Sequence, residues 1–349
     1  MTINARTFFT VILYNSIDIM YKFAYNQARK LFKKTVGDLK LSEKQTAKKP
    51  TRRKEPFWNN VKIVPYLYIL PNMILFLAFM ILPIIMTAYI SLTNWKGMGG
   101  MASLFSAKSF TGLDNYAYIF TNDLFQKSLV NTVIFTIATV PFLMVLALFF
   151  AIVLNQKIHG RGFFRSAMYI PSIISTVVVG MVFIWIFNSQ IGLFNYILNI
   201  FGFQSIEWAN DPNYAMVMIV VGTLWSRTGY NMVIYLAGLQ GISPDYYEAA
   251  TIDGANGWQK FRYITMPLLN STHVFVLITC VIHSFRSFDL IYVMTKGGPL
   301  NATKTLVMYI YDMAFKMNYY GRASAAGVIL FLILLVFTII RLKTDKGAA

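Results

Sequence analysis

Long apolar blocks alternate with short polar stretches along this chain, and within the blocks the apolar run is nearly unbroken. Each block approaches or exceeds the roughly 20 residues that an α-helix needs to cross the hydrocarbon core of a bilayer. Six of them lie near 66–93, 127–155, 168–188, 214–240, 272–294 and 322–342. Helices are predicted because a lipid-facing segment must satisfy its own backbone hydrogen bonds, and the strands of a closed barrel would alternate instead. Pro71, Pro83, Pro141 and Pro171 fall within or at the ends of these blocks, where membrane helices tolerate them. The pattern predicts an all-α polytopic membrane protein with six core transmembrane helices over 61–345, preceded by a separate segment over 1–60.

Composition agrees. Of 349 residues, 56% are hydrophobic and 13% charged, against roughly 25% charged in soluble domains. The net charge of +17 would suit a nucleic-acid binder only if the basic residues shared a soluble face. They sit instead between apolar blocks, as loops facing anionic lipid do, so no nucleic-acid partner is expected. Cys280 is the single cysteine, and His159, His273 and His283 are scattered. No internal disulfide, metal site or catalytic constellation follows from them.

Lysine and arginine set the expected orientation. They crowd positions 29–54, recur at Lys157, Arg161 and Arg165, at Lys260 and Arg262, and return at Arg341, Lys343 and Lys346. The loop near 189–213 has neither and carries Glu207 and Asp211. Both termini and the loops near 156–166 and 241–270 are therefore expected in the cytoplasm. The loop near 295–321 carries Lys296, Lys304 and Lys316 and fits less well, but an even number of spans places it outside. In the first 60 residues, Phe9, Ile12, Leu13, Met20, Phe23 and Leu31 share a helical face opposite Lys22, Arg29 and Lys33. Two readings stand for this segment: an amphipathic helix on the inner leaflet, or a basic tail. Residues 42–60 have the composition of a linker.

The loop between the fourth and fifth blocks is unusual. Pro244 and Asp245 can start a short helix with an apolar side from Tyr246, Ala249, Ala250 and Ile252, and Gly254 suits the left-handed residue that ends it. Asn256 to Gln259 can start another before Pro267. Such a compact hairpin with small residues on its surface reads as a docking element. The string Glu248-Ala249-Ala250, Asp253-Gly254-Ala255, then Phe261, Ile264 and Pro267, resembles the EAA motif of permease subunits from binding-protein-dependent ATP-binding-cassette importers, in the maltose-type branch. Met266 stands where leucine is usual and Asn270 where a second proline often falls. The resemblance runs from about Pro65 to the C-terminus and takes in Leu92-Thr93-Asn94-Trp95, Gly112-Leu113-Asp114-Asn115-Tyr116 and Thr295-Lys296-Gly297-Gly298-Pro299.

The resemblance implies a partner set: a second homologous permease, two cytoplasmic ATP-binding subunits, an extracytoplasmic solute-binding protein, and a sugar or oligosaccharide cargo. ATP and magnesium would be bound by the partner ATPase, with Glu248 and Gly254 central to the docked helix. It also implies residence in a bacterial cytoplasmic membrane. The P-loop-like run Gly298 to Thr305 lacks the second glycine and is a decoy, so no cofactor is expected in this chain.

Polar groups inside spans usually face a cavity or a partner. The fourth and fifth blocks carry Trp225, Ser226, Arg227, Thr228, Tyr230 and Asn231, then His283, Ser284, Arg286, Ser287 and Asp289. The resemblance places a sugar site on these two helices and carries over Tyr230, Ser284 and Ser287 as cargo contacts, with Asn231 beside them. Arg227 and Arg286 add two forked cations suited to carboxylates, hence an acidic, uronate-containing cargo. Against that, Arg286 could pair with Asp289 one turn along, and Arg227 could reach the headgroups. His283 is read as a packed or hydrogen-bonded side chain, not a ligand or proton relay. The alternative function is an ion-coupled secondary transporter, which would favour a lone acid such as Asp289 and repeated halves; no such repeat is evident. An intramembrane enzyme lacks any nucleophile motif.

Overall fold

The computed structural model describes residues 64–97, 100–106 and 109–345. The segment expected as an interfacial helix and linker, 1–60, lies outside them, as does Lys346. Among the described residues all regular structure is helical apart from one isolated bridge, Thr93 with Phe110. Thirteen helices carry the argument. They are α1 (Tyr66–Ile90), α2 (Asp114–Thr121), α3 (Asp123–Asn155), α4 (Arg161–Ile173), α5 (Thr176–Ile186), α6 (Leu193–Ile200) and α7 (Ala215–Gln240). After these come α8 (Pro244–Ile252), α9 (Gly257–Leu268), α10 (Asn270–Phe285), α11 (Asp289–Thr295), α12 (Leu306–Tyr311) and α13 (Tyr320–Asp345). The chain divides at Met73/Ile74, and the packing below is that of Ile74 onward.

Among the described residues, α1, α3 and α13 are unbroken helices long and apolar enough to cross a membrane. Two of the expected spans come out differently. The block at 168–188 is not one helix: α4 and α5 meet at a 98° bend. Pro171 has no N–H to continue the ladder, and Ile174 and Ser175 turn extended with ψ of 140° and 132°. Packing holds the bent form. A Cβ at Gly229 of α7 would lie 1.8 Å from the Met168 carbonyl oxygen, so only glycine lets the α4 backbone come this close. Arg165 of α4 donates to the Leu154 carbonyl at 3.0 Å, favourably placed at the C-terminal end of α3.

The block at 272–294 is also interrupted. Helix α10 ends at Phe285, residues 286–288 leave helical geometry, and α11 restarts at Asp289. Phe288 sits at φ −133°, ψ −59°, and an acid at the first position of the new helix is electrostatically favoured. The Thr305 hydroxyl donates to the Ser287 carbonyl at 3.3 Å, satisfying a backbone group at the gap. Helix α7, with 26 residues, is about 39 Å long at 1.5 Å per residue. It can span, although Ser226, Arg227, Thr228 and Asn231 dilute its apolar run. Two π-helical turns each end two residues before a proline: Leu77–Ile81 before Pro83, and Phe261–Thr265 before Pro267. A missing N–H downstream leaves a carbonyl without its usual partner, and a wider turn accommodates it.

Three clusters form the interior. The first joins Leu143, Ala147 and Ala151 of α3 to Met232, Tyr235 and Leu239 of α7 and to Val276 and Cys280 of α10. The second joins Phe135 to α5, α7 and α11 through Val179, Phe183, Ile219 and Ile291. The third packs Ile119 and Phe125 against Leu306, Tyr309 and the alanines 323, 325 and 326 of α13. Small residues at these contacts let helix backbones approach where lipid gives no hydrophobic drive between helices. The opposite face of α3 leaves Phe142, Val145 and Phe149 bare, the inside-out pattern of a chain dissolved in hydrocarbon. At the end of α1, the Asn115 amide donates to the carbonyls of Ser91 (2.9 Å) and Thr93 (2.7 Å). This explains two of the motifs, Leu92 to Trp95 and Gly112 to Tyr116, as one structural joint.

Candidate functional site

A cavity of about 210 Å³ lies where the first two clusters meet. Its wall contains all six residues singled out for cargo: Arg227, Tyr230 and Asn231 of α7, Ser284 of α10, and Arg286 and Ser287 of the break between α10 and α11. Neither arginine side chain has an ion-pair or hydrogen-bond partner among the described residues. The expected Arg286–Asp289 pair does not form, because the helix is broken between them; Asp289 lines the same cavity on its own. Arg227 also lines the cavity. Tyr230 is 40% exposed, so its ring is open to a ligand.

Asn231 plays a mixed part. Its amide nitrogen donates to the Arg227 carbonyl at 3.0 Å, and its oxygen accepts from the Cys280 thiol at 3.4 Å, so it also ties α7 to α10. Trp225 and Thr228, polar or amphipathic in the same stretch, lie outside the wall: Trp225 packs on Phe183, and the Thr228 hydroxyl returns to the Leu224 carbonyl at 2.6 Å. His283, read as a packed or hydrogen-bonded side chain, is exposed and lines the cavity. It sits just before the helix break, where the neighbouring turn that would cover it is missing.

Sequence reasoning missed Phe135 and Thr139 of α3, Thr176 of α5, Thr223 of α7 and Phe288 of the break, all of which belong to the wall. The signal for Thr139 was present. Ser128, Thr132, Thr136 and Thr139 recur at three- and four-residue spacing in an otherwise apolar span, which puts hydroxyls on one helical face. Thr132 serves backbone contacts at the other end of that stripe, where its hydroxyl accepts from the Leu306 N–H at 2.9 Å and donates to the Ser128 carbonyl. The Thr139 hydroxyl, 1% exposed, has no hydrogen-bond partner in the structure.

The second predicted site is built locally. The Ser243 hydroxyl accepts from Asp245 N–H at 3.3 Å to open α8. Gly254 takes φ +77°, and the bonds Ala255 N to Ala250 O (2.9 Å) and Gly254 N to Thr251 O (3.1 Å) close it in the manner of a Schellman end. Asn256 and Gln259 exchange hydrogen bonds of 2.9 and 2.8 Å in a capping box that opens α9. The Tyr247 hydroxyl meets Thr265 at 2.9 Å and Lys260 donates to Thr251 at 2.8 Å, which pins the two helices together. Glu248, Ala249, Asp253, Gly254 and Pro267 are exposed, Ala250 and Ala255 half-buried, and Ile252 is 86% exposed. A rigid hairpin thus presents small and apolar groups outward. The decoy run is a loop whose polar groups are used internally: Thr303 donates to Gly298 O at 2.7 Å, and Asn131 donates to Asn301 O and Lys304 O.

Residues 117–347 match the family described as the binding-protein-dependent transport system inner membrane component. The chain belongs to this family. Among similar curated proteins, the trehalose/maltose transport system permease protein MalF of Thermococcus litoralis is 36% identical over 281 residues, covering 80% of this chain and 93% of that protein. The arabinooligosaccharides transport system permease protein AraP of Bacillus subtilis is 36% identical over 301 residues, covering 84% and 93%. The fold also matches a solved structure of a bacterial alginate ABC transporter in complex with its alginate pentasaccharide-bound periplasmic protein, with a TM-score of 0.70 at 23% identity, over 82% of this chain and 96% of that one. Membership makes this chain an integral, multi-pass permease of a binding-protein-dependent transport system, a transport component and not an enzyme. It sets aside the ion-coupled alternative.

Proposed function

We propose that this permease imports an acidic, uronate-containing oligosaccharide, with the cavity between α3, α7 and α10 as its cargo site. The observation that carries the reading is the pair of guanidinium groups, Arg227 and Arg286, in one cavity with a single carboxylate, Asp289, and neither in an ion pair among the described residues. Planar forked donors match carboxylates at two points, while Tyr230, Phe135 and Phe288 offer ring faces to the apolar side of a sugar. Ser284 and Ser287 are hydroxyl partners for its rim.

The α8–α9 hairpin is the coupling element in this reading. Glu248, Ala249, Ala250, Asp253, Gly254 and Ala255 dock into a cytoplasmic ATPase subunit, two copies of which bind ATP and magnesium, and Pro267 ends the docked surface. A second, homologous permease completes the pore, and a solute-binding protein delivers cargo from outside. The exposed, self-capped hairpin supports this, and the lysine and arginine pattern is in keeping with a cytoplasmic hairpin and termini.

The test is ATP hydrolysis by the complex reconstituted with its binding protein, with neutral and uronate oligosaccharides added in turn. Stimulation by the uronate cargo, abolished by Glu248→Ala, is the expected result. Stimulation by neutral oligosaccharides alone would refute the acidic cargo and leave coupling intact. Hydrolysis indifferent to Glu248→Ala would refute the docking role.

A further inference from the structure

A second polar cavity, of about 360 Å³, lies by the end of α1 and the start of α13, at the end of α13 opposite Arg341 and Lys343. Trp95, Lys96, Asp114, Tyr118, Tyr319 and Arg322 line it. The Arg322 guanidinium lies 3.6 Å from the centre of the Tyr118 ring and 4.6 Å from that of Tyr319, and the Lys96 ammonium lies 5.6 Å from Tyr319. Two aromatic faces therefore hold the guanidinium and leave its donor edge for another group. Among the described residues neither cation has an ion pair, and neither does Asp114.

The walls are fixed before any ligand arrives. Asn115 clamps the Ser91 and Thr93 carbonyls. A Cβ at Gly321 would lie 1.9 Å from the Thr93 oxygen, so α13 starts in direct backbone contact with that turn. The Trp95 indole donates to Ser103 at 3.1 Å and its ring packs on Tyr320. None of this belongs to the cargo cavity or to the α8–α9 hairpin.

We infer that this cavity binds the headgroup of an aminophospholipid, its phosphodiester on Arg322 and Lys96 and its ammonium on Asp114. The depth fits: tryptophan and tyrosine collect at the headgroup level of membrane proteins. Acyl chains have a place to run, because Leu82, Ile84 and Ile85 of α1 are bare. The charges fit as well. A phosphate alone would leave Asp114 repelled beside it, whereas a zwitterion satisfies both signs. Arginine recognises phosphate through paired N–H donors, and the Asp114 carboxylate is the partner for the ammonium.

The test places the purified full chain, in its complex, in nanodiscs containing equal phosphatidylethanolamine and phosphatidylglycerol, and reads retained lipid by native mass spectrometry. The wild type is expected to retain phosphatidylethanolamine roughly tenfold over phosphatidylglycerol, a factor equivalent to about 1.4 kcal/mol. Arg322→Gln is expected to lose retention of both lipids, and Asp114→Asn to shift the preference toward phosphatidylglycerol. If Arg322→Gln does not assemble, Asp114→Asn and Lys96→Gln carry the test. Retention in the bulk ratio by the wild type would overturn the inference, as would enrichment unchanged in Asp114→Asn. Inorganic phosphate and glycerophosphoethanolamine form a further arm. Displacement of the lipid by either at low millimolar concentration would assign the site to a soluble phosphate, and resistance to both supports the membrane source.

Discussion

Thr139 and Asp312 show how much hangs on a single partner. The buried Thr139 hydroxyl has nothing to bond, in a residue that lines the cavity between α3, α7 and α10. A buried polar group left unpaired costs about 1–3 kcal/mol, and valine has nearly the same shape. Thr139→Val is therefore expected to raise the thermal midpoint in detergent while weakening cargo-stimulated ATP hydrolysis; a lower midpoint with unchanged stimulation would show the hydroxyl to be structural. Asp312 is the reverse case. Burial pushes its carboxyl up, but hydrogen bonds and charge from Lys304 (2.8 Å) and Lys316 (2.7 Å) outweigh that and hold it below the usual carboxylate range. A depressed folded pKa contributes stability that is present above the unfolded pKa, about 3.9 for aspartate, and lost as pH falls through the folded value. Asp312→Asn should thus be less stable than wild type near neutrality, and the gap between their thermal midpoints should close below about pH 4.

At the scale of elements, the α8–α9 hairpin and the two interrupted spans follow different logic. The hairpin is specified by neighbours in sequence: a proline start, a left-handed glycine, and a capping box three residues wide. A Cβ at Gly254 meets nothing within 4 Å, yet its φ of +77° is strained for any other residue, by about 1–2 kcal/mol. Gly254→Ala should leave the thermal midpoint of the whole chain nearly unchanged and still lower cargo-stimulated ATP hydrolysis, since only the hairpin end moves. Loss of the helical fold itself would contradict that local role. The bend between α4 and α5 is different, because contacts from α7 through Gly229 and the reach of Arg165 to Leu154 hold it. These come from residues far along the chain.

At the scale of the whole molecule, the cavity draws on α3, α5, α7, α10 and α11 at once. Five elements meeting at polar positions leave space that apolar packing would have closed. Two arginines there give the site its charge, offset in part by Asp289. Losing one charge-assisted hydrogen bond costs about 1.5–3 kcal/mol, so Arg286→Gln is expected to weaken uptake of an acidic oligosaccharide by roughly ten- to a hundredfold while a neutral one changes little. Transport assays in proteoliposomes compare the two directly, and equal loss for both would remove the basis for charge selection.

The sequence alone determined the membrane character, the all-α class and the family. Lipid imposes a length and an apolar composition on every span, and the docking motif is written in consecutive residues. It also marked six residues that line one cavity, because polar groups in an apolar span stand out. Which polar groups face the cavity, and which are spent on their own helix, was decided only by the tertiary structure. Thr228 and Thr139 look alike in the chain, but one returns its hydrogen bond to Leu224 and the other, in a residue that lines the cavity, is buried without a partner. The breaks at 174–175 and 286–288 belong to the same category: a helix carries on until a distant contact makes stopping more favourable, and local propensity holds no record of that contact.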